Sequence, residues 1–275
     1  MLRLICEEET TLKEFTENNY AQASLYWTML LKNKDIKVNG KKIGQNVQLT
    51  VGDEVCYYLT DKQVQKPVFS VVYEDENVVV IDKSSGVNSE AIYAALRREK
   101  GNTCGFIHRL DRNTKGLMVF SLNERAEKEL LSAFKERTAE KIYHALCFGS
   151  PQSNSGILTA YLKKDSEKAK VQIFDHPKER AEKIITEYSV MERFGERSKL
   201  KILLHTGKTH QIRAHLAHIG CPVVGDMKYG SEAKNKAFHA SRQQLVAYSL
   251  RFFDLEFLSY LNGKIFCSNF DVETE

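Results

Sequence analysis

The stretch that most limits the fold is residues 105–121, GFIHRLDRNTKGLMVFS, where a charged cluster is set between two apolar runs. Gly105-Phe106-Ile107 leads in and Gly116 to Phe120 leads out, while Arg112-Asn113-Thr114-Lys115-Gly116 has turn composition. The reading is a strand, an exposed loop carrying Asp111, and a second strand. Successive side chains of extended backbone face opposite ways, so Arg109 and Asp111 share a side and Leu110 points toward a core. Nearby positive charge favours the ionised form of a carboxylate. An ionised carboxylate serves as a nucleophile or base, not as an acid. Taken alone, His108 to Arg112 reads as a solvated ion-pair loop, because such clusters are common on surfaces.

A chain of 275 residues is long for one small domain and comfortable for two. With 42% hydrophobic and 28% charged residues it has the composition of a globular protein with a core. The formal net charge of +4 permits a polyanionic partner without demanding one. Six cysteines are scattered with no C-x-x-C pair, which fits small core residues in a reducing compartment. No apolar run is long enough to span a membrane, and the start MLRLICEEET turns acidic without a signal-peptide core. The expected location is the cytoplasm.

Residues 1–60 read as a small α+β unit. Thr11 caps a helix over TLKEFTENN, a second helix spans 21–32, and Asn39-Gly40 joins two short strands as a tight hairpin. Residues 61–67, DKQVQKP, read as a polar linker, and 68–275 as the large domain. There, strands are expected at 70–73 and 78–82. A helix over 89–100 is expected with Ser89 as its cap, and another after Asn123. Strands follow at 141–148, 156–174, 186–194 and 199–205. A helix carrying Ile212, Leu216 and Ile219 ends at Gly220, and strands close the chain near 245–252 and 264–268. The expected class is mixed α+β with a largely antiparallel central sheet and flanking helices.

Three separated segments, HRLDRNTKGLMVF, FKERTAEKIYHAL and TGKTHQIRAHLAHIG-x-P-x-x-GD-x-x-YG, resemble in order the motifs of the RluA-type RNA pseudouridine synthases. The likeness covers nearly all of 67–230. The first sixty residues resemble an S-four-type RNA-binding module, with the strand half matching well. The helix half lacks the expected arginines, having Ser24-Leu25-Tyr26-Trp27 instead. The resemblance implies isomerisation of uridine within RNA, with no metal or redox cofactor. It implies an essential aspartate at Asp111, a ring at Tyr143 that stacks on the target base and can help remove a proton from carbon 5, and an aspartate-pairing arginine at Arg213. It places Arg109 as the side chain filling the gap left by the flipped uridine, and Leu204 as an aliphatic wall of the base pocket. His108 falls with the RNA-contacting residues, and Lys208, His210, Arg112 and Lys115 suit phosphate contact. Extraction of a stacked base calls for an aromatic face and a space-filling side chain, and such stacking is worth roughly 1–3 kcal/mol per base.

Two departures from the family pattern stand out. The segment Asp82-Lys83-Ser84-Ser85-Gly86 lacks the family's proline and histidine, and Lys208 replaces an arginine, keeping charge but losing the fork. Histidines 205, 210, 215 and 218 do not make a zinc site, because the spacing fits no helical zinc pattern and Arg213 would oppose a cation. Large-subunit ribosomal RNA is the expected partner, with transfer RNA the alternative and a monomer the expected state. A non-catalytic RNA-binding or assembly factor is the competing class. A paired-carboxylate glycosidase fits poorly, since the motif holds one carboxylate.

Overall fold

The computed structural model describes residues 1–165 and 170–274. The chain begins with β1 (Leu2–Ile5), β2 (Thr10–Thr11), α1 (Leu12–Asn19), α2 (Ala21–Leu25), α3 (Trp27–Asn33), β3 (Ile36–Val38), β4 (Lys41–Ile43), β5 (Gln48–Leu49) and β6 (Glu54–Tyr57). Strands order as β1-β6-β3-β4, and α1 to α3 cover the sheet through a core of Leu12, Leu30, Ile36, Leu49, Val55 and Tyr57. Thr11 caps α1 by accepting from the Glu14 N–H at 3.2 Å. Asn39 and Gly40 take φ of 48° and 78°, the left-handed pair that a two-residue hairpin requires. The helix expected over 21–32 is broken at Tyr26, whose φ of −104° and ψ of 15° leave the helical region.

The expected linker is not simply extended. It contains α4 (Asp61–Val64), closed by a capping box between Thr60 and Gln63. Then come β7 (Phe69–Glu74), β8 (Val78–Lys83), α5 (Ser89–Lys100), β9 (Gly105–Phe106), β10 (Lys115–Ser121), α6 (Glu124–Glu136), β11 (Ala139–Phe148), β12 (Ser155–Asp165), β13 (Lys170–Phe174), β14 (Glu182–Phe194), β15 (Arg197–Leu204), α7 (Gln211–His218), α8 (Glu232–Ala237), β16 (Leu245–Phe252) and β17 (Ile265–Cys267). The single strand expected over 156–174 is two antiparallel strands, and the part of that expectation on residues 166–169 lies outside the described residues. Helix α8, capped by Ser231, was not expected.

Among the described residues, eleven strands form one sheet along the path β13-β12-β14-β15-β11-β16-β10-β8-β7, with β17 on β16 and β9 on β10. Every pair is antiparallel except β10 with β16, which run parallel over Lys115↔Val246 and Gly116↔Ala247. Gly116, at φ 112°, permits that contact, since a Cβ there would overlap the Ala247 carbonyl. The period of two divides the core. Val79, Ile81, Met118 and Phe120 face one cluster with Ile92 and Leu96 of α5, while Val78, Val80, Leu117 and Val119 face a second with Leu130 of α6 and Phe252. The first cluster also takes Tyr143, Leu204, Ile212 and Leu110, so four distant segments converge on one edge of it.

Ser89 does not cap α5. Asn88 occupies the cap position, and the Ser89 hydroxyl donates to the Leu110 carbonyl at 2.9 Å and accepts from the Leu110 N–H at 3.0 Å. The helix start is thereby tied to the residue before Asp111. No helix among the described residues is long and apolar enough to cross a membrane.

Candidate active site

Asp111 stands on the loop between β9 and β10, with Leu110 buried behind it. The loop turns at once, the Thr114 N–H donating to the Asp111 carbonyl at 3.0 Å, and the Thr114 hydroxyl accepts from Gln243 at 2.9 Å. A second support comes from the Lys-Ser-Ser-Gly segment that departs from the family pattern. Lys83 is fully buried at the end of β8, and its Nζ donates to the carbonyls of Ser84 (3.0 Å), Val87 (2.8 Å) and Arg112 (2.9 Å). Burial pulls its pKa down to about 7, against the opposing pull of Asp111.

Arg213 lies in the first turn of α7. Its Nη1 donates to Asp111 Oδ2 at 2.8 Å, its Nε to Asp226 Oδ2 at 2.6 Å and its Nη2 to Asp226 Oδ1 at 3.0 Å. Burial disfavours its charge, but Asp226 and Asp111 outweigh that and hold its pKa above the usual arginine value. Asp226 is fully buried, and burial would raise its pKa. Arg213 and the N–H groups of Tyr229 and Lys228 bring it below the usual carboxylate range. Gln211 fixes the start of the helix. Its amide oxygen accepts from the Thr206 hydroxyl (2.9 Å) and the Lys208 N–H (3.1 Å), and its NH₂ donates to the Ile185 carbonyl (3.1 Å) and Thr186 (3.0 Å). His210, at φ 55°, makes a 2.8 Å hydrogen bond from Nδ1 to the Tyr229 hydroxyl and sets Nε2 3.9 Å from Asp111.

Asp111, Tyr143, Leu204, Arg213, His108, Arg109, Lys208 and His210 all line one cleft of about 530 Å³, within the range of ligand pockets, roughly 300–1,000 Å³. Tyr143, on β11, is buried at its floor. Burial and the charge of Asp111 both push its hydroxyl well above the ordinary phenol value, so it is neutral near pH 7. Arg109 is the outermost of the group, with its side chain 64% exposed and ion-paired to Glu90 at 3.2 Å. Lys208 pairs with Glu182 at the rim. Asp111 is the one carboxylate lining the cleft among the described residues, facing Arg109, Lys135, Arg137, Lys141, Lys208 and Arg213. That balance suits a polyanion.

His108 lines the cleft without charge: it stacks on Phe134, accepts from the Val119 N–H at 3.2 Å, and burial with nearby Lys141 takes its pKa down to about 3. Two expectations need correcting, those for Arg112 and Lys115. Arg112 lies off the cleft, ion-paired to Glu17 of α1 and donating to the Gly86 carbonyl at 3.1 Å. Lys115 is also turned away, to Glu273 at 3.2 Å and the Phe270 ring. Asp226, Tyr229 and Gln211 were missed as site residues. The signal for the first two was the G-D-x-x-Y-G run itself. Histidines 205, 210, 215 and 218 go to four separate partners, Glu187, Tyr229, Thr186 and Asp175.

A buried aromatic on β11, an aspartate on the β9–β10 loop paired with an arginine of α7, and a basic rim meet in one cleft beside a largely antiparallel sheet, an arrangement compatible with an enzyme that handles a nucleobase within RNA. Comparison with known proteins agrees. Residues 29–218 match the RNA pseudouridylate synthase family. The chain is 30% identical to an uncharacterized RNA pseudouridine synthase of Aquifex aeolicus, over 90% of this chain and 86% of that one. It is also 30% identical to the ribosomal large subunit pseudouridine synthase C of Rickettsia felis, over 74% of this chain and 75% of that one. Among solved structures it is similar to human RNA pseudouridylate synthase domain containing 1, with a TM-score of 0.59 and 26% identity, covering 75% of this chain and 91% of that one. The chain belongs to the RNA pseudouridine synthases of RluA type, enzymes of the isomerase class that convert uridine in RNA.

Proposed function

We propose that Asp111 is the essential catalytic group and that the substrate is large-subunit ribosomal RNA in the cytoplasm. In this reading a uridine leaves the RNA stack and enters the cleft. Asp111 attacks the sugar or the base, the glycosidic bond breaks, and the uracil turns so that its carbon 5 joins the ribose. The proton from carbon 5 leaves and nitrogen 1 gains one, so the reaction balances without a metal or redox cofactor. Arg213, anchored by its Nε and Nη2 fork on Asp226, holds the Asp111 carboxylate in place through its Nη1. Tyr143 supplies the stacking face. Leu204 forms the aliphatic wall, Arg109 fills the vacated place in the RNA, and Lys208 and His210 contact phosphates.

The observation that carries this reading is the 2.8 Å pair of Asp111 with Arg213 in a cleft that also holds Tyr143 and Leu204. A paired-carboxylate glycosidase would need a second carboxylate across the cleft, roughly 5–10 Å away. The ribosomal target is supported by the small N-terminal unit and by the name of the Rickettsia relative. Pseudouridine mapping in a strain lacking the gene tests it. Loss of a large-subunit site is expected. Loss of a transfer-RNA site with all ribosomal sites intact would replace the target.

A further inference from the structure

Arg112 directly follows Asp111 and is gripped from two sides. Its carbonyl accepts from Lys83 Nζ and from the Gly86 N–H, both at 2.9 Å, on the side of the large sheet. Its guanidinium reaches the other way, to the N-terminal unit, where Nη1 pairs with Glu17 of α1 and Nη2 lies 3.4 Å from the Ser24 hydroxyl. Arg112 is 39% and Glu17 21% exposed by side chain, so the pair is partly withdrawn from water. Flanking contacts fix the approach. Asn88 donates to Asn18 at 3.1 Å, Arg98 donates to the Asn19 carbonyl at 3.1 Å, and Ala21 is buried in the same cluster as Val87, Ala91 and Ile92.

We propose that the N-terminal unit is a fixed brace for the catalytic loop and that Glu17 is the positioning residue through which it acts, by holding Arg112. The inference rests on Asp111 being the catalytic group. Adjacent Cα atoms are about 3.8 Å apart along a stiff peptide, so slack at Arg112 becomes slack at Asp111. Misplacement of a reacting group by about 1 Å can cost on the order of a hundredfold in rate. The 2.8 Å contact of Asp111 with Arg213 leaves little room for such movement. The brace also explains the composition of the helices. Residues 12–25, which pack on α5 and the Gly86 loop, contain one lysine and no arginine. They suit a protein–protein contact better than a grip on phosphates.

The test uses the full chain and three readouts: tritium release from RNA labelled at uridine carbon 5, filter binding of the same RNA, and hydrogen exchange of peptides covering 110–116. Glu17→Gln is expected to lower kcat about two- to fivefold, the range of one partly exposed ion pair, with RNA affinity unchanged. Exchange at 110–116 should quicken while that of β14 and β15 stays the same. Combining Glu17→Arg with Arg112→Glu should restore part of what Glu17→Arg alone loses, which a general loss of stability would not do. Unchanged kcat with unchanged exchange at 110–116 would overturn the brace. So would a loss of RNA affinity at constant kcat, which would make these helices an RNA grip. If wild-type protein released no tritium, the proposed activity would fall, and the brace would stand or fall on the exchange measurement alone.

Discussion

Arg213 gives two of its nitrogens to Asp226 and a third to Asp111, so one planar group serves as both anchor and partner. Arg213→Lys keeps the charge and removes the fork. Turnover is expected to fall about a hundredfold, the loss typical of one preorganised donor. RNA affinity should change little because many phosphate contacts carry it. Equal losses in tritium release and filter binding would count against the pairing. Asp226→Asn leaves the guanidinium with a single charged partner in a buried setting. It is expected to cost about 3 kcal/mol in stability, as breaking buried pairs does, and an unchanged urea midpoint would refute that. That Asp111, Tyr143 and Arg213 meet in one cleft was legible because each sits inside a long motif. Asp226 was not, although its motif was in view, because nothing in a sequence shows that a carboxylate near residue 226 is aimed at an arginine near 213. Arg112 misled for a related reason. A cation beside Asp111 suits phosphate, and only the fold reveals that Glu17, 95 residues away, has claimed it.

Among elements, α5 shows how a helix start can serve a site on another segment. Its Ser89 hydroxyl both donates to and accepts from Leu110, pinning the loop one residue before Asp111. Ser89→Ala leaves two buried backbone groups without that partner and is expected to cost about 1–3 kcal/mol, with kcat reduced. Thermal unfolding and tritium release would check both, and a variant of wild-type stability and rate would contradict the role. The helix bounds of α5 were read correctly from Ile92 and Leu96, whose spacing is a local property. The role of Ser89 was read wrongly, since a serine at a helix start suggests a cap whichever way its hydroxyl points. The hairpins β3–β4, β7–β8 and β14–β15 were legible for the same local reason, whereas β12 and β13 were read as one strand. The parallel contact of β10 with β16 was not, because the partners lie some 130 residues apart and Gly116 alone marks the close approach.

Across the whole molecule, histidines wholly or partly withdrawn from water make stability depend on acid. Burial, reinforced by His218, takes the pKa of His215 from the ordinary 6.5 down to about 4, and burial with Lys141 takes His108 down to about 3. Their folded values lie below the unfolded one, so the unfolded chain binds protons first as pH falls. Their contribution is complete above about pH 6.5 and is lost progressively as pH drops toward 3–4. The urea midpoint should fall across that window, with His215 contributing up to roughly 3 kcal/mol. His215→Gln should flatten part of the slope, and an unchanged slope would exclude His215 as a source. The mixed class and largely antiparallel sheet followed from short strands and turns. The docking of the N-terminal unit beside the catalytic loop could not, since it depends on contacts between segments with no shared pattern. The most direct test of Asp111 is tritium release from carbon 5-labelled uridine RNA by wild-type protein and by Asp111→Ala. The expected result is release by the wild type, none by the variant, and equal binding of RNA by both. Release by Asp111→Ala at the wild-type rate would contradict it.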